Sequence, residues 1–131
     1  MNKPILALIT AQPHCVNIIE AAKLMAQGLN RKLCVVTVLP RRELAASRAE
    51  KLKTLKSISE ISDVDIIIRY SDNPPASAAT QAFESEPLHI FMGEDNGFLS
   101  EFLSFYNGAP VSVVSKKIIF TVPSGPKIKG A

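Results

Sequence analysis

Cysteine and histidine are scarce in this chain of 131 residues, which has two of each. The cysteines are Cys15 and Cys34, and the histidines are His14 and His89. A structural zinc site normally needs four Cys or His ligands at short spacing, so the sequence predicts no metal site. A disulfide is also disfavoured, because the chain has the features of a cytoplasmic protein, whose thiols stay reduced.

Long apolar runs are absent as well. The longest are a handful of residues, such as Ile66–Ile68, whereas a membrane helix needs about 20. The N-terminus passes from the apolar run Ile5–Ile9 directly to polar residues, without the cleavage site of a signal peptide. These absences predict a cytoplasmic protein that has no membrane partner.

Motifs of nucleotide-dependent enzymes are missing too. The segment 10–14, which follows the first apolar run, contains no glycine, so the dinucleotide and P-loop fingerprints are absent. His14 has no evident partner to orient it as a general base. Cys15 stands at a predicted helix start, which can activate a thiol, but nothing completes a nucleophilic motif. The sequence therefore predicts no catalytic residue and no enzyme.

The net charge of +3 is distributed unevenly. Residues 1–56 carry ten Lys and Arg against three Asp and Glu, whereas residues 57–109 carry one against nine. Lys51, Lys53 and Lys56 have the spacing of a solvated helix face. Nucleic-acid binders instead gather basic residues on one contact face, so we expect no nucleic-acid partner.

Strand-like and helix-like segments alternate along the chain. We predict strands at 4–10, 33–39, 64–70, 88–92 and 111–114, and helices at 14–29, 42–61, 74–84 and 98–106. The strands are apolar on both faces, so helices must cover both sides, and the connections are long enough for parallel crossovers. The prediction is a three-layer α/β/α sandwich with a five-stranded parallel sheet, in one domain over residues 1–122. Residues 123–131 are expected to be a loose tail.

Apolar stripes and caps give these helices expected buried faces and ends. Asn73 is expected to cap the third helix, with Pro74 at its first position. We predict one stripe of Ile18, Ala22, Met25 and Leu29 in the first helix, and another of Ala45, Ala49, Leu52, Leu55 and Ile58 in the second. Residues 118–122 either pair back as an antiparallel edge strand or extend the edge that a second copy would use.

Ligands of such sheets bind outside the carboxyl ends of the strands. Thr10 and Gln12 could hydrogen-bond a ligand there or cap the following helix. Between Gly93 and Gly97, the glycines could let a ligand approach the backbone, with Ser100 reaching a phosphate from the first helical turn. The same loop could instead be a plain helix start, where acidic residues are favourable.

Several segments resemble the universal stress protein family. They are Pro-Ile-Leu-Ala-Leu-Ile-Thr at 4–10, Ile-Ile-Glu-Ala-Ala-Lys-Leu-Met-Ala-Gln-Gly-Leu-Asn at 18–30, Lys-Leu-Cys-Val-Val-Thr-Val at 32–38, Val-Asp-Ile-Ile-Ile-Arg-Tyr-Ser-Asp-Asn-Pro-Pro-Ala at 64–76, His-Ile-Phe-Met-Gly at 89–93 and Asn-Gly-Ala-Pro-Val-Ser-Val-Val at 107–114. The match spans about residues 4–115. Within this family, the sequence most resembles the universal-stress-like domain of osmosensitive potassium-channel sensor kinases.

The resemblance implies strand order 3-2-1-4-5, a homodimer through the fifth strand and, in some members, bound ATP or AMP. Members that bind nucleotide have an aspartate at the end of the first strand, where this chain has Thr10, and Val38 matches their apolar residue beside adenine. Gly93 and Asn96 match only the first half of the family's phosphate loop, and Tyr106 stands where the second half would begin. These departures argue against ATP binding.

The sequence therefore predicts a non-catalytic regulatory or stress-response module that binds a small ligand weakly or docks on a regulatory protein partner. The alternatives are an ATP- or AMP-binding universal stress protein and a small nucleotide- or phosphate-transfer enzyme. No cofactor is certain, and ATP or AMP is disfavoured. The candidate ligand residues are Thr10, Gln12, Val38, Gly93, Gly97 and Ser100. We expect a homodimer through the C-terminal edge strand.

Overall fold

A computed structural model of the chain describes residues 3–94, 96–115 and 119–122. The elements are β1 (Ile5–Ile9), α1 (Cys15–Gly28), β2 (Leu33–Pro40), α2 (Ala45–Ser62), β3 (Ile66–Ser71), α3 (Pro74–Ser85), β4 (His89–Gly93), α4 (Asn96–Phe105), β5 (Val111–Val114) and β6 (Ile119–Val122). The sheet order is β3-β2-β1-β4-β5-β6. The pairs among β1 to β5 are parallel, so the predicted three-layer fold with sheet order 3-2-1-4-5 is confirmed. The predicted tail, 123–131, lies outside the described residues.

Helices cover both faces of the sheet, as the doubly apolar strands require. Residues of α1 and α2 join one core with Ile5, Ala7 and Ile9 of β1. Residues of α3 and α4 join a second core with Leu6 and Leu8 of the same strand. All five residues of β1 are therefore buried.

The buried side of α1 differs from the predicted stripe. Its buried residues are Cys15, Ile18, Ile19, Ala22 and Ala26. Met25 is half-buried and Leu29 is 50 % exposed. Leu29 points away from the core because α1 ends one residue earlier, at Gly28.

The predicted stripe of α2 is only partly buried. Leu55 and Ile58 are in the core, but Ala45 and Ala49 are exposed and Leu52 is 36 % exposed. The helix lies at the β3 end of the sheet, so a narrower stripe than predicted meets the core. It also begins at residue 45 and not at 42.

The third helix begins as predicted. The side chain of Asn73 accepts a hydrogen bond from the backbone N–H of Ala76 at 3.4 Å, and Pro74 is the first helical residue. The hydroxyl of Ser71 accepts from the N–H of Asn73 at 3.0 Å and bonds Ser77 Oγ at 2.7 Å. These bonds fix the turn at the carboxyl end of β3.

Strand β5 is not at the edge of the sheet. β6 pairs with it antiparallel, from Val111 opposite Val122 to Val114 opposite Ile119. Of the two predicted fates of this segment, the structure has the pairing within the chain. The predicted homodimer through the C-terminal edge stays a prediction, and that edge is now β6. The other edge of the sheet is β3.

Candidate cleft at the carboxyl ends of β1 and β2

A cleft lies where the carboxyl ends of β1 and β2 meet the starts of three helices. Its volume is about 240 Å³. It is lined by Thr10, Ala11, Gln12, Val38, Leu39, Pro40, Lys51, Pro74 and Phe98. This is the end of the sheet where open parallel folds bind ligands.

Three of the six candidate residues line this cleft. They are Thr10 and Gln12, which follow β1, and Val38 of β2. Gly93, Gly97 and Ser100 are not among its lining residues, although Phe98 of the same helix as Gly97 and Ser100 is. The cleft thus brings together the two predicted polar residues and the predicted apolar one.

The turn between β1 and α1 is closed by Cys15. Its thiol donates a hydrogen bond to the carbonyl of Thr10 at 3.0 Å, and its sulfur lies 3.8 Å from Thr10 Oγ1. Cys15 is fully buried, which indicates a structural role. The N-cap of α1 is His14, and it makes no side-chain capping bond. The alternative role of Thr10 and Gln12 as caps is therefore not observed at this helix.

The walls of the cleft are mainly apolar. Val38 is 7 % exposed. The other apolar lining residues are Ala11, Leu39, Pro40, Pro74 and Phe98. Gln12 is exposed, while Thr10 is half-buried. A cleft with apolar walls and a few polar groups is the usual form of a small-molecule site. This one could hold a ring with a polar edge.

Lys51 was expected on a solvated face, and the structure corrects this. Lys53 and Lys56 are exposed as predicted, but Lys51 lines the cleft and its ammonium donates to Glu43 Oε2. The Glu43 side chain is only 11 % exposed. Its Oε1 is buried and has no hydrogen-bond partner among the described residues. The cation at the cleft is therefore balanced by a carboxylate.

Arg48 holds the loop that contributes Pro40 to the cleft. Its Nη2 donates to the carbonyls of Arg41 at 2.6 Å and of Pro40 at 3.4 Å. Its guanidinium lies over the ring of Tyr70, 5.2 Å from the centroid. The exposed ion pair of Arg41 with Asp72, at 3.1 Å, adds a second link between the ends of β2 and β3. Side chains thus fix one wall of the cleft.

The two glycines of the predicted ligand loop have different environments. A Cβ on Gly93 would lie 2.9 Å from Cδ1 of Ile18, which is 1 % exposed. Packing against α1 thus accounts for this glycine without a ligand. A Cβ on Gly97 would meet nothing within 4 Å, so Gly97 has no such packing role.

His89 lies at the opposite end of β4 from the cleft. Its Nε2 is 2.7 Å from Ser112 Oγ, and its ring centroid is 5.0 Å from that of Phe91. Burial lowers the pKa of His89 below its usual 6.5. Its position and contacts are those of a residue packed within the sheet. Within the described ranges, no group of three or more His, Cys, Asp or Glu side chains could hold a metal ion, and no helix has the length and apolarity to span a membrane.

Sequence reasoning missed three lining residues that come from helices. Pro74 was identified as a helix start but not as part of a site. Phe98 belongs to the helix that follows the glycine loop. Lys51 stands four residues before the buried Leu55, and that spacing was the available signal for an inward-facing position.

No protein-family model matches this sequence, and no curated protein matches it either. Among solved structures, the universal stress protein from Archaeoglobus fulgidus aligns with a TM-score of 0.67 at 16 % identity, over 88 % of this chain and 98 % of that one. The universal stress protein from Archaeoglobus fulgidus in complex with dAMP gives 0.62 at 18 % identity, over 86 % and 95 %.

A universal stress protein in complex with cAMP gives a TM-score of 0.61 at 14 % identity, over 88 % of this chain and 98 % of that one. The PIN domain endonuclease Utp24 gives 0.54 at 10 % identity, over 96 % and 98 %. At these identities the comparisons establish the fold alone. The narrower resemblance to a sensor-kinase domain stays a prediction, and the fold of this chain is similar to that of universal stress proteins.

Proposed function

We propose that this protein is a non-catalytic regulatory module of the universal stress type, whose cleft binds a small ligand weakly. The first candidate ligand is a nucleoside monophosphate. The observation that supports this most is the convergence of Thr10, Gln12 and Val38 on one cleft at the carboxyl end of the sheet. Two solved structures of similar fold are complexes with dAMP and cAMP.

The size and charge of the cleft favour a compact ligand. Its 240 Å³ lies below the ordinary range of ligand pockets, which is about 300–1,000 Å³. A base or sugar fits such a space better than a complete triphosphate. Since Glu43 balances Lys51, the cleft offers little net positive charge to a polyphosphate. Weak or absent ATP binding is therefore expected.

The non-catalytic part of the proposal rests on the sequence, which shows no nucleophile paired with a base. The fold does not decide this point, because an endonuclease also aligns with the chain and one fold can host many functions. An assay for ATP hydrolysis tests it. Turnover that scales with protein concentration and persists through further purification would contradict a non-catalytic module.

Calorimetric titration with AMP, cAMP and ATP tests the ligand. We expect AMP or cAMP to bind with a dissociation constant well above micromolar, and ATP to bind no more tightly. Gln12→Ala should weaken binding by removing a polar group at the cleft. Ser104→Ala, at an exposed position near the end of α4 and outside the cleft lining, is the control and should leave binding unchanged. Micromolar or tighter ATP binding would contradict the proposal, and no binding of any nucleotide would favour a docking role without ligand.

A gain of binding provides a sharper test. The resemblance implies an aspartate at the end of the first strand in nucleotide-binding members, so Thr10→Asp should strengthen binding of adenine nucleotides. Thr80→Asp, on the exposed side of α3, adds the same charge away from the cleft. The proposal predicts tighter binding only for the variant at position 10. Unchanged or weaker binding in that variant would show that adenine does not occupy this cleft.

A further inference from the structure

The edge strand β3 exposes large apolar side chains to solvent. In the sheet that the described residues form, β3 pairs with β2 alone. Its Ile67 is 37 % exposed and its Tyr70 is 42 % exposed. An edge strand presents unpaired backbone N–H and C=O groups, and natural edges are usually protected from pairing by charge, proline or bulges. β3 contains one charged residue, Arg69, and no proline.

The residues around this edge have a self-complementary order. The segment 64–70 reads Val-Asp-Ile-Ile-Ile-Arg-Tyr, which is symmetric in character about Ile67. If a second copy pairs antiparallel with Ile67 opposite Ile67, then Asp65 of each copy lies opposite Arg69 of the other. Opposite charges at such cross-strand positions stabilise a pair of strands, and like charges destabilise it.

The same register also matches the apolar residues. It places Ile66 opposite Ile68, and Val64 opposite Tyr70. Ile66 and Ile68 already pack against the core beneath α1 and α2. Because successive side chains alternate between faces, Asp65, Ile67 and Arg69 share the other face. Ile67 and Arg69 are exposed there, so that face has room for a partner strand's side chains.

The two charged residues are available for this pairing. Among the described residues, neither Asp65 nor Arg69 forms a hydrogen bond or an ion pair through its side chain. Asp65 and Arg69 are both exposed. A second copy would give each of them a partner of opposite charge, and it would do so twice because the arrangement is symmetric.

Helix α2 adds an apolar contact beside the same edge. Arg48 contacts Tyr70, and the Ser59 hydroxyl donates to the carbonyl of Val64, so this side of the helix faces β3. Leu52 lies on that side, four residues after Arg48 and seven before Ser59. It is 36 % exposed, and a paired copy would bring a second α2 alongside it.

We propose that two copies of this chain pair antiparallel along β3, with Ile67 at the two-fold axis and two Asp65–Arg69 ion pairs across the interface. The sheets of the two copies then join edge to edge into one continuous sheet. This proposal is independent of the ligand cleft. It differs from the predicted dimer through the C-terminal edge strand, β6, which is the rival outcome in the test below.

Charge reversal and its rescue test the proposed register. Sedimentation velocity at tens of micromolar chain should show a dimer for the wild type. Arg69→Asp places Asp opposite Asp, and Asp65→Arg places Arg opposite Arg, so each variant should raise the dissociation constant at least about tenfold. The double variant Asp65→Arg/Arg69→Asp restores both opposite-charge pairs and should restore the dimer.

Mixing the two single variants gives the most specific outcome. The Arg69→Asp chain then offers two carboxylates, and the Asp65→Arg chain offers two guanidinium groups, so the mixture should form a heterodimer more tightly than either variant pairs with itself. Far-UV circular dichroism of each variant confirms its fold. A misfolded single variant would still leave the double variant to decide, because only the proposed register predicts its recovery.

A cysteine at the symmetry axis tests the register by geometry. In a Cys34→Ser background, Ile67→Cys should form an intermolecular disulfide under mild oxidation, since directly opposite residues lie about 4.5–5.5 Å apart between Cα atoms. Phe105→Cys in the same background, at an exposed position of α4 away from β3, is a control for random collision and should cross-link more slowly. A monomeric wild type would overturn the proposal. So would a dimer that Arg69→Asp leaves intact but truncation after Ser115 abolishes, which would identify the C-terminal edge as the interface.

Discussion

Strands β1 and β3 have different environments, at the centre and at the edge of the sheet. Both are rich in isoleucine, and both were predicted from their apolar runs. In β1, at the centre of the sheet, no residue is more than 4 % exposed. In β3, at the edge, Ile67 and Tyr70 remain exposed. An apolar run thus predicts that a strand forms. Whether its side chains are buried or exposed depends on its position in the sheet, between two neighbouring strands or at the edge.

Matched truncations at the two strands should show the largest difference. Leu6→Ala removes a fully buried side chain of β1 and should lower the free energy of unfolding by about 2–5 kcal/mol. Ile67→Ala removes a side chain that is already partly exposed, so it should cost about 1 kcal/mol or less. Urea denaturation at a chain concentration too low for association measures both. Equal losses would contradict the contrast between the centre and the edge.

The central strand β1 was predicted well because its side chains are all apolar and all buried. The alternation of apolar strands with helical segments predicted parallel strands, the family resemblance implied their order, and Asn73 was correctly identified as the cap of α3. The edge was predicted less well. The stripe assigned to α2 included Ala45 and Ala49, which are exposed, because periodicity cannot show how much of a helix the sheet will cover.

The candidate site divides in the same way. Thr10 and Gln12 were found because ligands of parallel sheets bind at the carboxyl ends of the strands, and Val38 was found through the resemblance to universal stress proteins. Lys51 and Phe98 enter the cleft from helices, and their approach depends on packing that a linear pattern does not contain. Gly93 was interpreted as a ligand-binding glycine because Ile18, against which it packs, lies 75 positions away in the sequence. The sequence gives no sign of that contact. A sequence alone cannot separate these two reasons for a glycine.

Substitution of Gly93 and of Gly97 by alanine should change the stability of the fold in opposite directions. Gly93→Ala brings a Cβ within 2.9 Å of Ile18 Cδ1 and should destabilise the fold by about 1–3 kcal/mol through overpacking. Gly97→Ala lies in open space within α4 and should stabilise it by about 0.5–1 kcal/mol. Thermal unfolding measures both changes.

A double variant shows whether the clash with Ile18 is the cause. Ile18→Val removes the Cδ1 methyl group and alone should cost about 0.5–1.5 kcal/mol. Combined with Gly93→Ala, it should cost less than the sum of the two single variants, because the methyl group that clashes is gone. Strict additivity would mean that Gly93 is required for another reason, such as a close approach of a ligand to the backbone.

The smallest expected effect concerns His89, the polar residue at the start of β4. Burial lowers its pKa below 6.5 in the folded state, so at acidic pH the unfolded chain binds more protons at this position than the folded chain does. The neutral form of His89 therefore contributes stability above pH 6.5, and this contribution is lost as the pH falls through the lower folded-state pKa. The hydrogen bond with Ser112 keeps the neutral ring in place above that range.

Comparison of the wild type with His89→Gln isolates this contribution. Both chains share every carboxylate, so the difference between their melting temperatures at each pH reports on position 89 alone. Between about pH 7.5 and about pH 5 the wild type should lose more stability than the variant. Parallel curves for the wild type and the His89 variant would mean that the ring is hydrated equally in both states, and that the centre of the sheet is more open at β4 than at β1.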